Sequence, residues 1–194
     1  MSRPALGRGV KNGLILFALV VLLSGNTASC RTAGQPPRLV VDGSVAADFE
    51  ALALETWDQF LVAFRARSGC FGDVHVRAVY ALDSRAGYDP DTATATVLVP
   101  GTPAMLQSGL VHEWAHHVEF QCNEQQDLRP AFLAAQGLPS DTPWRSPDES
   151  AISPSEQYAE AAIEFVLGTR PIPTEAHVTR EAIRVVQEWA EGGE

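Results

Sequence analysis

The sequence predicts an α+β fold in which a helix and a small β-sheet are followed by more helices, and three observations carry that expectation. Apolar residues recur at helical spacing between Val45 and Arg67. Two later stretches, Val74 to Leu82 and Ala93 to Pro100, have strand character: the first alternates apolar with polar at its start, and the second is rich in β-branched residues. From Thr102 onward helical patterns return, separated by loops that carry proline and glycine. With 194 residues the chain has room for one domain with a real core, and 45% hydrophobic with 20% charged residues suits a folded soluble body.

Residues 1–29 precede the first element and read as a signal peptide. Arg3, Arg8 and Lys11 form a positive start, Leu14 to Leu23 is a bare apolar run, and small residues lead up to Cys30. That run is half the roughly 20 residues a bilayer-spanning helix needs, so export is the expectation. "TASC" resembles a bacterial lipoprotein box, with Thr27 where such boxes usually carry Leu. The resemblance implies lipidation of Cys30 and a chain held at the outer face of the bacterial cytoplasmic membrane. An uncleaved signal anchor or simple secretion are the alternatives. Residues 30–38, polar and proline-bearing, form a tether, and the folded domain occupies 39–194.

The net charge of −10 becomes about −13 once the three early cations are removed, which sets the domain against phosphate backbones and excludes nucleic acid as a partner. Three cysteines are present, and an odd count in an exported protein leaves one thiol over. Lipidation of Cys30 accounts for it and leaves Cys70 and Cys122 either to pair as a disulfide or to remain as two buried thiols.

Within the domain, Phe49, Leu52, Ala53, Phe60, Leu61 and Phe64 give the first helix its apolar side. Asp48 and Glu50 near its start and Arg65 and Arg67 near its end suit the helix dipole, and Gly69 stops it. The strand Val74 to Leu82 leads into "DSRAGYDPDT", a loop by composition, and then into the strand "ATATVLVP". A helical segment runs from Thr102 to Cys122, and "LRPAFLAAQGLP" makes a short helix or two. A long loop with three prolines precedes "SEQYAEAAIEFVLG", a helix ended by Gly168. The closing helix, Thr174 to Ala190, places Ala176, Ile183, Val186 and Trp189 on one side.

Chemistry concentrates in "LVHEWAHHVEF", Leu110 to Phe120. Residues four apart on a helix share a face, so His112 and His116 can aim their ring nitrogens at one metal ion. Glu113, about a hundred degrees round the helix, stands close enough to take a proton from water without being a ligand. The flanks Trp114, Ala115 and Val118 make the segment apolar, and burying two histidines and a glutamate without purpose costs several kcal/mol. A polar helix that matches so short a pattern by chance is the bland alternative. His117 points away from the His112/His116 face, and His75 and His177 read as surface or core histidines.

A catalytic zinc site needs a third protein ligand. A histidine six residues after His116 is ruled out by Cys122, where Glu119 also replaces the glycine such a pattern carries. A glutamate nineteen or twenty residues on is ruled out by Ala135 and Gln136. Glu156 and Glu160, four apart among alanines at 159, 161 and 162, remain candidates. Glu156 has a competing local role, since Ser153 to Glu156 spells a capping box with Pro154 at the first helical position.

"HEWAHHVE" followed by "EQYAEAAIEF" resembles the gluzincin metallopeptidases, especially small exported ones and the lethal-factor-type catalytic domain. The resemblance covers mainly Leu110 to Phe165. It implies a zincin-like single domain in which His112, His116 and Glu156 bind one Zn2+ and Glu113 is the general base. Glu160 would orient a ligand histidine by accepting its free N–H. It further implies a zinc-dependent peptidase acting on a peptide or protein, with the membrane met only through the N-terminal lipid or anchor. "ATATVLVP" would border the cleft and pair with an extended substrate, with an ordinary strand inside the sheet as the equal alternative. Lethal-factor-type enzymes place a tyrosine shortly before the ligating glutamate; here that loop carries Asp148 and Glu149, with Trp144 further back. That departure keeps a non-enzymatic envelope module on the same scaffold as the alternative.

Overall fold

The computed structural model describes residues 36–146 and 153–193. The signal peptide, Cys30, most of the tether, Asp148 and Glu149 lie outside the described residues. The elements are β1 (Leu39–Val41), α1 (Ala47–Ala63), β2 (Val74–Val79), β3 (Ala86–Asp89), β4 (Thr94–Leu98), α2 (Pro103–Gln121), α3 (Gln125–Ala135), α4 (Pro154–Leu167) and α5 (Arg180–Glu191). The protein is therefore α+β, with one small mixed sheet of four strands and five helices among the described residues. None of these helices is long and apolar enough to cross a membrane.

The strands lie in the order β1-β2-β4-β3. β2 pairs in parallel with both β1 and β4, and β3 pairs antiparallel with β4. Two points depart from expectation. β3 falls inside the segment that reads as a loop, because Ala-Gly-Tyr-Asp has no β-branched residue and no apolar alternation. Its pairing is set by the turn that follows, where Thr92 Oγ1 donates to Asp89 Oδ2 at 2.8 Å and Ala93 takes a positive φ of 50°. β4, expected to border the cleft, is paired on both sides, so the sheet edge next to it belongs to β3, with β1 at the opposite edge. β4 supports that edge rather than forming it.

α1 also ends earlier than its sequence suggests, at Ala63. Arg67 therefore does not serve that helix's own dipole. Its Nε donates to the Trp189 carbonyl of α5 at 2.8 Å and its Nη1 lies 2.8 Å from Glu124. α5 begins at Arg180, later than the pattern implies, because Thr179 caps it by accepting from the Ala182 N–H at 3.1 Å. Ala176 is buried in the segment before it.

The packing holds α2 from behind. Trp57, Phe60, Phe64 and Phe71 form an aromatic cluster into which Trp114 of α2 fits edge-on, with its ring centroid 4.9 Å from that of Trp57. Such contacts contribute about 0.5–1.5 kcal/mol each beyond area burial, and they fix the rotation of α2 about its axis. On its other side α2 meets α4, where Ala159, Ala161 and Ala162 are fully buried and let the helices come close. A disulfide joins Cys70 to Cys122 and so ties the end of α2 to the segment ahead of β2.

Candidate metal centre

α2 has Thr102 as its N-cap, accepting from the Met105 N–H at 3.3 Å, and Pro103 in its first turn. Two turns later His112 and His116 stack on one face, their rings 4.8 Å apart and nearly perpendicular. Their Nε2 atoms are 3.2 Å apart. Glu156, in the first turn of α4, inserts its carboxylate between them, with Oε2 3.0 Å from His112 Nε2 and Oε1 3.3 Å from His116 Nε2.

Only the serine half of the expected capping box forms. Ser153 accepts from the Glu156 backbone N–H at 3.3 Å, as a cap should, while the Glu156 side chain turns to the histidines instead of reaching back to Ser153.

The two nitrogens and the carboxylate fit a metal. Ligands at about 2.0–2.1 Å from a tetrahedral zinc lie roughly 3.3–3.4 Å from one another. The two ring nitrogens are 3.2 Å apart, and each lies at a comparable distance from a different oxygen of the one carboxylate, 3.0 Å from Oε2 for His112 and 3.3 Å from Oε1 for His116. His112, His116 and Glu156 also stand out as a group whose ligand atoms all fall within 4.8 Å of one another.

The far side of each ring reinforces the fit. His112 Nδ1 lies 3.5 Å from Glu160 Oε1, and His116 Nδ1 lies 3.1 Å from Glu119 Oε2. A carboxylate at Nδ1 favours the N–H there and leaves the Nε2 lone pair aimed at the common point. Two imidazoles and one carboxylate are a donor set that suits zinc.

The electrostatics follow from these contacts. Burial works against a charge on His112, yet hydrogen bonds to Glu156 and Glu160 outweigh it and raise the ring to about 10. Burial would likewise raise Glu156, but the two histidines hold its carboxyl well below the ordinary range. Carboxylates that favour a second proton on these rings also favour a cation in its place. Burial raises the Glu113 carboxyl, with His112 and His116 pulling the other way. Its side chain lines the cleft beside the histidines.

The other candidates lie elsewhere. His117 faces the core, and His75 and His177 are exposed. Tyr158 is fully buried among Trp144 and Phe132, Tyr80 is 87% exposed, and the Tyr88 hydroxyl sits on His117 Nδ1 at 2.8 Å. Tyr88 thus lines the cleft with its hydroxyl engaged by His117, and no tyrosine hydroxyl is hydrogen-bonded to His112, His116 or Glu156.

Two features were not legible as functional in the sequence. One is Glu119, a fully buried carboxylate behind His116, for which spacing of three residues along the helix was the available signal. The other is β3, which runs along the cleft with Ala86 beside both of its lobes. The lobe on the His112 side has a volume of about 250 Å³, just below the roughly 300–1,000 Å³ of ordinary ligand pockets.

No protein-family model, curated protein or solved structure matches the chain.

Proposed function

We propose that the protein is an exported zinc-dependent peptidase of the gluzincin kind, with a zincin-like fold. One observation carries the reading: three side chains on two helices bring one ligand atom each within 4.8 Å of one another, with a buried glutamate next to the first histidine. His112, His116 and Glu156 would hold the ion, one per chain. When bound, zinc supplies a Lewis acid that polarises a peptide carbonyl and brings the pKa of water toward neutrality.

The remaining steps belong to the chain's own groups. Glu113 takes a proton from the attacking water as its oxygen bonds to the scissile carbon, and burial has already raised the basicity of that carboxylate. As the C–N bond breaks, the same carboxyl returns the proton to the departing nitrogen. Glu160 keeps the His112 ring in its tautomer. The free edge of β3 pairs with an extended substrate backbone and lays it across the site.

The Cys70–Cys122 disulfide supports export, since such bonds persist in oxidising compartments. Lipidation of Cys30 would then hold the domain at the outer face of the bacterial cytoplasmic membrane. A second reading, a non-enzymatic envelope module that keeps the scaffold, is favoured by the tyrosines, none of whose hydroxyls is hydrogen-bonded to the ligand residues: Tyr80 is exposed, Tyr158 is buried in the core and the Tyr88 hydroxyl is engaged by His117.

Metal analysis and a peptide-library digest of the mature domain, with and without chelator, separate the two. Glu113→Gln should bind zinc as the wild type does and lose at least the roughly 10²–10⁴-fold that a positioned general base contributes. Cleavage that survives in Glu113→Gln would sink the hydrolytic mechanism. A zinc-loaded wild type that cuts nothing would put the scaffold reading ahead.

A further inference from the structure

Glu119 is the most completely buried acid near the site, with no side-chain exposure, and the reaction outlined above gives it no role. A carboxylate in such a place has to be satisfied, and it is. Oε2 lies 3.1 Å from His116 Nδ1 and accepts from Ser155 Oγ at 2.6 Å, while Oε1 accepts from Arg145 Nε at 2.5 Å. The Arg145 guanidinium in turn lies 3.7 Å over the Phe120 ring.

The position of Ser155 gives this arrangement its meaning. Ser155 is the neighbour of Glu156, and both sit in the first turn of α4. One residue fastens α4 to the carboxylate behind His116, and the next places its own carboxylate on the front nitrogen of the same ring. His116 is thereby gripped at both ring nitrogens, and the α2 and α4 contributions to the site are tied through one acid.

We propose that Glu119 is the positioning residue of the centre: it fixes the tautomer and direction of His116 and, through Ser155, the approach of Glu156. This inference rests on the metal-binding reading and extends it to a residue outside the expected ligand motif.

Glutamine is the discriminating replacement. A carboxylate offers two oxygens and about four acceptor sites, whereas an amide offers one oxygen and a pair of donors. Three donors converge on Glu119, so Glu119→Gln sets at least one of them against an N–H. Partners behind metal-ligating histidines typically matter about 10- to 100-fold in affinity. Zinc affinity is read by competition with a chelator, and the His116 ring by nitrogen-resolved NMR of the zinc-loaded full domain.

In the wild type the His116 Nδ1 proton should be present, shifted far downfield and slow to exchange, with Nε2 as the ligand. Glu119→Gln should lose about 10- to 100-fold in zinc affinity and the downfield signal with it. Arg145→Ala, which leaves the Glu119–His116 contact in place, should lose less.

If Arg145→Ala weakens zinc as much as Glu119→Gln, the acid serves the loop and not the metal, and the proposal fails. It fails too if Glu119→Gln keeps wild-type affinity. Should that variant not fold, the wild-type spectrum decides alone: coordination through Nδ1, or a fast-exchanging Nδ1 proton, overturns it. A wild type that takes no zinc overturns the metal reading itself, a result separate from any difference between variants.

Discussion

His116 and His117 are consecutive residues on one helix, both buried, and they have opposite fates. Burial acts on the two rings in the same direction, pulling each toward the neutral form. His116 is nevertheless raised, because Glu119 and Glu156 hydrogen-bond to it. The hydrogen-bond partners of His117 are neutral, the Tyr88 hydroxyl at Nδ1, at 2.8 Å, and the Gly72 carbonyl at Nε2, at 3.0 Å, and Asp73 acts on it only through space. His117 falls to about 4. Its ring also packs edge-on against Phe71, with centroids 5.9 Å apart. Neither residue type nor burial separates a candidate ligand from a structural histidine here. What separates them is whether carboxylates or neutral dipoles hydrogen-bond to the ring, and a rotation of about a hundred degrees along α2 decides that.

The comparison breaks most visibly in metal binding. His112→Ala, His116→Ala and Glu156→Ala should each weaken zinc by more than the roughly 10- to 100-fold assigned to a partner behind a ligand. His117→Ala should leave zinc affinity at the wild-type value. Competition titration of the four variants checks this, and a His117 variant that loses metal would erase the distinction between the two faces.

The disulfide gives the next effect in size. It closes a loop of 52 residues, so the chain-entropy relation puts its contribution at about 4 kcal/mol. Cys70→Ser with Cys122→Ser should lower stability by that order in denaturant unfolding. Because the bond anchors the end of α2 beside His117 rather than beside His112, the folded double variant should still bind zinc. Loss of binding in a variant that remains folded would show that the two faces are not independent.

The smallest effect sharpens the contrast through pH. With His117 near 4 in the folded state and near 6.5 unfolded, the unfolded chain binds the extra proton between those values. Its contribution is complete above about 6.5 and is lost as pH falls toward about 4, on the order of 3 kcal/mol over the whole window. His117→Asn removes the titration, so its stability should fall less between neutral pH and about pH 5 than that of the wild type. Equal acid sensitivity in the two proteins would place the effect elsewhere.

How much of this was readable differs by element. The body of α1, β2 and α4 follow from apolar spacing and caps: Ser153 and Pro154 open α4, and Gly168, at φ 70°, closes it. The pairing of Cys70 with Cys122 was one of two readings left open once Cys30 was set aside for lipidation, and the structure has the disulfide. β3 was not readable, because four residues without β-branching become a strand only when β4 lies beside them. The end of α1 was overestimated because Arg67 is drawn to a carbonyl 122 residues away.

By itself the sequence determined which residues share a helical face, because the rotation per residue is a local property of the backbone. On that ground alone His112 and His116 point together and His117 points elsewhere. Only the tertiary structure decided what those faces meet. The alanines of α4 allow α2 to approach until Glu156 and Glu160, 44 and 48 positions after His112, reach its ring, and Glu119 gains Ser155 and Arg145 as partners. Those contacts depend on how helices pack across the core, and no short-range pattern encodes that.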